Sequence, residues 1–452
     1  MLDPFELMGF WWLPETPNNI LAGTLRFSQD GGGKLELLGL FQEFQSPNQL
    51  HNPVIILGVS TDGSPITLYR CYRNNFNLRI PGISTSTYQI LTIFRGAYFQ
   101  KEQDILFRDI AVNYTDLDEW VGISGFNIDH SNLKIEYKKP EPIRIDIDDD
   151  FRLSIVFSRK GPSTSFVTKE ITITQRTYLK LEYKAGDLSF ENFRKKHHLL
   201  SDLLTLGVCR PVFPVYMAGT TEKAKNEAEG QPAYYPPVEI YYQLIEQPLS
   251  RKPLIPDEML FSYQDIKPRF ERFIRNWFSK SEELRVVLDL YFGSQYSQRL
   301  FINYIFLNII QALETYHRLR MTNQVLSVEE HRERVEEILS LVPAKYQTWL
   351  KGLITPANQP TLRIRLKEIV QKYTRLITPM VGDNEEFIAR IVATRNHEIH
   401  HTHDKKAITD TGELFSAIRT MTILLESLLL EELGFSQDEV LELQQKRKRL
   451  PI

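Results

Sequence analysis

Eight residues, Thr394 to His401 ("TRNHEIHH"), gather three of the chain's ten histidines together with an arginine and a glutamate. They spell two chemistries at once. Arg395 and His400, with Asn396 beside the arginine, are the groups that metal-free RNA cleavage uses. An imidazole takes the proton of a ribose 2′-hydroxyl or gives one to the departing 5′-oxygen. A guanidinium offers a planar fork of donors to the charge gathering on a five-coordinate phosphorus. Asn396 would hold the phosphate or orient the imidazole. His397, Glu398 and His401 instead satisfy the zincin pattern, two histidines at i and i+4 with a glutamate that activates a zinc-bound water.

The element that must carry either set is a helix beginning near Asp383, whose "DNEE" suits a helix N-terminus. Phe387, Ile388, Ile391 and Val392 form its apolar stripe, and at about 100° per residue Arg395 falls within that stripe. An inward guanidinium is costly unless it is paired or lines a pocket or interface, or unless it snorkels outward at the helix end. His400 lies about 140° round the helix from Arg395. A joint site is therefore easiest to build where two copies meet, which predicts a symmetric dimer through the C-terminal helices. The zinc spelling has a poor setting, because polar, turn-like "HTHDKK" follows and no third ligand is defined beyond the available Glu413 and Glu426.

The rest of the chain divides into two kinds of sequence near residue 245. Before it, short alternating segments dominate. "TLRF" and "KLELLGLF" flank "SQDGGG" as a hairpin, and "SPITLYRCY", "YQILTIFRGAYF", "LKIEYK", "IRIDI", "RLSIVF", "ITITQRTYLKLEY" and "VEIYYQLI" read as further strands. They predict an antiparallel sandwich or barrel. A helix is expected from Ser189 to Leu206 with Gly207 as its stop. His197 and His198, beside Lys195 and Lys196, read as a solvated face without partners at i+4. Residues 218–237 read as a polar loop. Residues 246–257 read as a linker.

From 258 to 440 the pattern is helical, over 268–292, 298–321, 327–341, 360–376, 383–400 and 411–434. Ser327 and Glu330 stand in capping-box spacing. Leu414, Ile418, Met421, Leu425 and Leu428 mark a helix packed along its length. Residues 441–452 read as a basic, frayed tail. The fold class is thus α+β, a β-rich N-terminal half followed by an all-α bundle.

Bulk numbers agree with ordinary globular domains. Of 452 residues, 42% are hydrophobic and 25% charged, and the net charge of −3 excludes a generally basic nucleic-acid binder while leaving room for a local patch. Cys71 and Cys209 lack metal-ligand spacing and suit a reducing compartment. "MLDPFELMGFWW" has no basic n-region, so no signal peptide is expected, and "FINYIFLNII" is too short to span a membrane. A cytoplasmic protein is expected. Asp146, Asp148, Asp149 and Asp150 lack a calcium-loop pattern and read as an exposed acidic turn. Trp11, Trp12 and Trp120 read as core.

"RNHEIH", Arg395 to His400, resembles the R-x4-6-H signature of HEPN domains, the higher eukaryote and prokaryote nucleotide-binding helical family. "IIQALETYHR", Ile309 to Arg318, is similar to the segment preceding the motif in the ApeA-like branch, and "GFWWLPE", "LAGTLRF" and "LELLG" resemble the opening of the N-terminal domain found with it. The resemblance runs from residue 9 to about 433. It implies a HEPN bundle and a bacterial anti-phage protein, a toxin-like, metal-independent endoribonuclease cutting RNA, with tRNA the expected substrate, without a cofactor and in response to a phage-derived trigger. It places Arg395, His400 and Asn396 in the catalytic motif. Glu314 and His317 match the earlier segment, as supports for the site or as a buried helix–helix hydrogen bond, and Glu398 lies within the motif as a further support. His401 and His403 depart from the pattern. The alternatives are a non-catalytic HEPN module that binds RNA or protein and, third, a zinc hydrolase using His397, Glu398 and His401.

Overall fold

The computed structural model describes residues 4–41, 54–165, 167–227, 233–244, 254–297, 299–402 and 404–448. The chain forms two compact units, Met1–Glu271 and Arg272–Ile452.

In the first unit, six strands close on themselves: β1 (Phe5–Leu13), β2 (Thr16–Ser28), β3 (Gly32–Leu38), β4 (Ile55–Ser60), β5 (Pro65–Asn77) and β6 (Thr85–Arg95). Their order is β6-β3-β2-β1-β4-β5, and a further pairing of β5 with β6 shuts the barrel. Every pairing among them is antiparallel. Alternation decides what faces in: Leu25, Phe27, Leu35, Leu37, Ile66, Leu68 and Ile90 fill the interior. Trp11 is fully buried there and donates from Nε1 to the Gly23 carbonyl at 3.2 Å. Its ring lies where a side chain at residue 58 would be, since a Cβ on Gly58 would come within 2.1 Å of it.

β6 stays paired with β5 along its length, but its other edge changes partner. Residues 85–90 pair with β3, whereas Thr92–Arg95 pair with β16 (Val238–Tyr242). From β16 the sheet continues through β15 (Pro214–Thr220), β8 (Asp109–Tyr114), β13 (Glu170–Tyr183), β12 (Phe151–Ser165) and β11 (Ile143–Asp146). Two small ribbons complete the strands, β7 (Leu106–Phe107) with β14 (Leu188–Ser189) and β9 (Phe126–Asp129) with β10 (Lys134–Tyr137). The sequence expectation of an antiparallel barrel or sandwich holds. Strands β1, β4, β7, β8, β9, β14 and β15 are additions to it, and β15 shows that Ala218–Thr220 belong to the sheet and not to a polar loop.

A short helix α1 (Leu117–Val121) buries Trp120, and α2 (Phe190–Val208) packs its apolar face inward. Three expectations are corrected here. Gly207 does not stop α2; it lies inside it, where a Cβ would press within 2.7 Å of Trp120 Nε1, and Cys209 in the left-handed region caps the helix. His197 is buried, not solvated. Its ring nitrogens meet Tyr114 Oη at 2.8 Å and the Ile110 carbonyl at 3.1 Å, and burial pushes its pKa down to about 3. The exposed His198 has a partner at i+4 after all, Asp202 at 3.8 Å. Asp146 to Asp150 turn between β11 and β12, where Asp148 accepts from the Asp150 and Phe151 amides and Asp146 pairs with Arg152.

The division between units falls later than the change in composition. Residues 246–253 of the expected linker lie outside the described residues. From Leu254 the chain is already buried in the first unit, where Phe261 stacks edge-on to Trp120 and α3 (Tyr263–Ile266) follows, capped by Ser262 and Asp265.

The second unit is helical: α4 (Phe270–Lys280), α5 (Arg285–Tyr296), α6 (Ile302–Arg320), α7 (Val328–Ser340), α8 (Ala344–Ile354), α9 (Leu362–Lys372), α10 (Thr374–Val381), α11 (Asn384–His400), α12 (Thr411–Leu433) and α13 (Gln437–Lys448). The capping box at Ser327 and Glu330 forms as read. The 268–292 segment breaks into α4 and α5, α8 was not anticipated, and residues 441–448 continue as helix where a frayed tail was expected. Helix α13 is held because Val440 is buried and Arg447 pairs with the buried Glu426. Residues 449–452 lie outside the described residues. Helix α12 is the axis of the unit, with Leu425, Leu428, Leu429, Leu430 and Leu433 fully buried. No described helix is long and apolar enough to cross a membrane.

Candidate active site

Helix α11 starts where Asp383 accepts from the amides of Glu385 and Glu386, satisfying two of the donors that a helix N-terminus exposes. Ile388, Ile391, Ala393 and Thr394 are buried, and Phe387, Val392 and Arg395 half-buried. The stripe is therefore broader than its apolar residues suggest. Thr394 explains part of this. Its hydroxyl donates to the Arg390 carbonyl at 2.7 Å and accepts from the Ile408 amide at 2.8 Å, tying the returning chain to the helix.

Arg395 is therefore half-buried, at the edge of the packed face. Its Nη1 donates to Asn396 Oδ1 at 3.3 Å, so the arginine and its neighbour form one donor group. His400 is the last helical residue and is exposed. Five residues place it about 7.5 Å along the axis and 140° round from Arg395. A single chain thus presents the arginine and the imidazole at the same helix end but on different faces.

Helix α11 ends immediately afterwards. His401 takes the left-handed conformation (φ 54°) as C-cap, and its amide closes on the His397 carbonyl. His397 turns its Nδ1 to the Thr402 carbonyl at 2.9 Å. The i, i+4 pair of the zinc spelling accordingly lacks the continuous helix face it needs. Glu398 is occupied by Asn303 of α6, whose Nδ2 donates to Oε2 at 2.9 Å. The two carboxylates available as a third ligand are engaged as well. Glu413 takes Arg390 at 2.5 Å, and Glu426 takes the Tyr291 hydroxyl at 2.9 Å together with Arg447. Among the described residues no group of three metal-binding side chains forms. His403 lies outside the described residues.

Glu314 and His317 of α6 are placed elsewhere. Glu314 pairs with Arg318 at 3.2 Å along its own helix. His317 is wholly buried between two residues of α9, with Arg365 Nη1 at 3.1 Å from Nδ1 and Glu368 Oε2 at 2.6 Å from Nε2. Arg365, itself 1% exposed, also donates to the Pro360 carbonyl at 3.0 Å and to Asn323 Oδ1 at 2.6 Å. The His317 contacts are helix–helix hydrogen bonds that fasten α6 to α9, and none of these bonds reaches Arg395 or His400. Sequence reading missed Arg365 and Asn303. A buried arginine at the first turn of an amphipathic helix looks like any surface cation, and an asparagine three residues after a proline-free turn carries no signal of its partner.

A second polar cluster fixes the far end of the bundle. Glu432 of α12 receives Lys280 at 2.9 Å, Arg320 at 2.8 Å and the Tyr316 hydroxyl at 2.9 Å. Burial would raise its pKa, and these donors outweigh burial to leave it lowered. These contacts tie α4, α6 and α12 together.

Two family models match the chain: ApeA N-terminal domain 1 over residues 6–277 and Apea-like HEPN over residues 307–439. No curated protein and no solved structure matches it. The first match ends close to the division between units, and the second contains α7 to α12 whole together with Arg395, Asn396 and His400. The chain belongs to the ApeA family, an ApeA N-terminal domain followed by an ApeA-like HEPN domain.

Proposed function

We propose that the protein is a metal-independent endoribonuclease of bacterial anti-phage defence, with tRNA as its expected substrate and the site formed by Arg395, Asn396 and His400. The observation that carries this is the end of α11, where the Arg395–Asn396 donor group and an exposed His400 occur within six residues inside the HEPN match. The ribose 2′-hydroxyl of the substrate is the nucleophile. His400 takes its proton or protonates the leaving 5′-oxygen, a contribution of about 10²–10⁴ in rate. Arg395 and Asn396 hold the phosphate and its developing charge. Because one helix turns the two side chains apart, two copies meeting at α11 would supply a complete set, Arg395 from one and His400 from the other.

The deciding assay is cleavage of labelled total tRNA by the full chain in excess EDTA, beside His400→Ala and Arg395→Ala. Cutting that survives chelation and disappears in both variants is the expected result. Cutting that chelation abolishes refutes the metal-free site. The divergence of Arg395 and His400 within one chain also suits a module that binds RNA without cutting it. Tight RNA binding with no cleavage, with or without extract of infected cells, would establish that second reading.

A further inference from the structure

We propose that Phe301 and Tyr304, at the start of α6, form a stacking platform for unpaired bases of an RNA strand whose phosphate is held by Arg395; the proposal rests on the nucleolytic reading above. Both rings are out in solvent, Phe301 at 74% and Tyr304 at 56% exposure, where apolar burial does not explain them. They are neighbours, with centroids 6.1 Å apart and planes tilted by 56°. Asn303, between them in sequence, is bonded to Glu398 of α11 at 2.9 Å, so the platform is fixed to the candidate catalytic helix and not to a distant part of the bundle. Glu398 is three residues from Arg395, on the same helix face. The aromatic pair is thus tied, through Asn303 and Glu398, to the helix that carries Arg395.

The occupant follows from that pairing of chemistries. Exposed rings on a segment bonded to the helix of Arg395, with the exposed Arg299 two residues before Phe301, match a ligand that carries π-faces and a negatively charged backbone together. Single-stranded nucleic acid is such a ligand, because every base has a face to stack and every linkage a charge. Paired bases in a duplex cannot reach the rings. The preference is thus for loops, bulges and ends, which tRNA offers alongside its stems.

The test measures binding, which stands apart from cutting. His400→Ala protein, unable to cleave on the reading above, is titrated by fluorescence anisotropy against a labelled, unstructured 12-nucleotide RNA and against the same sequence as a blunt duplex. Adding Phe301→Ala or Tyr304→Ala is expected to weaken the single-strand complex roughly tenfold each, in line with stacking, and to leave the duplex complex unchanged. Tryptophan at either position should restore binding, and leucine, apolar but without a π-face, should not. Equal binding by the leucine variants overturns the platform, as does a parent protein that does not bind the single strand. Alanine variants that dissociate a dimer on sedimentation while keeping RNA affinity would instead make the pair an interface between copies. If the platform variants weaken binding but no form of the protein cuts RNA, the nucleolytic reading fails and the platform stands.

Discussion

Replacing His317 by alanine separates a structural from a catalytic role for the segment preceding the motif. A guanidinium only donates, so the contact with Arg365 makes Nδ1 the acceptor, and Nε2 carries the hydrogen given to Glu368. Alanine leaves one donor of a buried Arg365 facing empty space. An unmet buried donor costs about 1–3 kcal/mol, and more when charged. The missing ring adds a cavity term of about 24 cal/mol per Å³ that does not collapse. The sum is about 3 to 5 kcal/mol. For a unit the size of Arg272–Ile452, about 2–4 °C is lost per kcal/mol, so its calorimetric transition should drop by roughly 10 °C. RNA cleavage assayed well below both transitions should stay within about threefold of the parent, since none of these bonds reaches Arg395 or His400. A variant that melts with the parent yet has lost its cleavage would refute this and return His317 to the chemistry.

Two further predictions concern the first unit. His197 is held neutral, with a folded pKa of about 3 against about 6.5 in an unfolded chain. The unfolded state therefore binds the extra proton first, and the unit should be fully stable above pH 6.5 and lose about 1.4 kcal/mol per pH unit as the pH falls toward 3; urea unfolding at pH 7.5, 5.5 and 4.5 should show a slope that His197→Asn makes shallower by one proton, and identical slopes would contradict it. Gly58→Ala puts a methyl group within 2.1 Å of the Trp11 ring, an overpacking that costs about 1–3 kcal/mol or more; the denaturation midpoint should fall, and Trp11→Leu in the same chain should recover part of the loss, whereas an unchanged midpoint for Gly58→Ala alone would mean that the barrel is packed differently.

Much of this architecture was legible in the residues. Period-2 alternation found the β2–β3 hairpin and the long strands β5, β6, β12 and β13, because each has one wet and one dry face. Strand β1 was missed for the opposite reason: Met8 and Phe10 are apolar yet 64% and 55% exposed, so alternation is erased in the sequence. Barrel closure itself depends on register between β5 and β6, which no local pattern encodes. In the helical unit the apolar periodicity located α6, α11 and α12 but ran α4 and α5 together, since the turn at 281–284 contains neither glycine nor proline. At the site, the types and spacing of Arg395, Asn396 and His400 were readable. The partners were not. That Glu398 is held by Asn303, and His317 by Arg365, depends on residues more than 45 positions apart in sequence.

The strand shared by both halves of the large sheet has a consequence for how the polypeptide acquires its shape. All six barrel strands lie within the first 95 residues, whereas β16, which borders Thr92–Arg95, arrives only at residues 238–242. During vectorial synthesis the barrel can close while more than half of the first unit is still unmade. Until β16 is released, the backbone amides and carbonyls at the end of β6 form an open sheet margin, the kind of surface that recruits strands from other chains. Nascent chains arrested between about residues 100 and 238 should therefore be the species most prone to self-association, and the later emergence of β16 is the event that seals them.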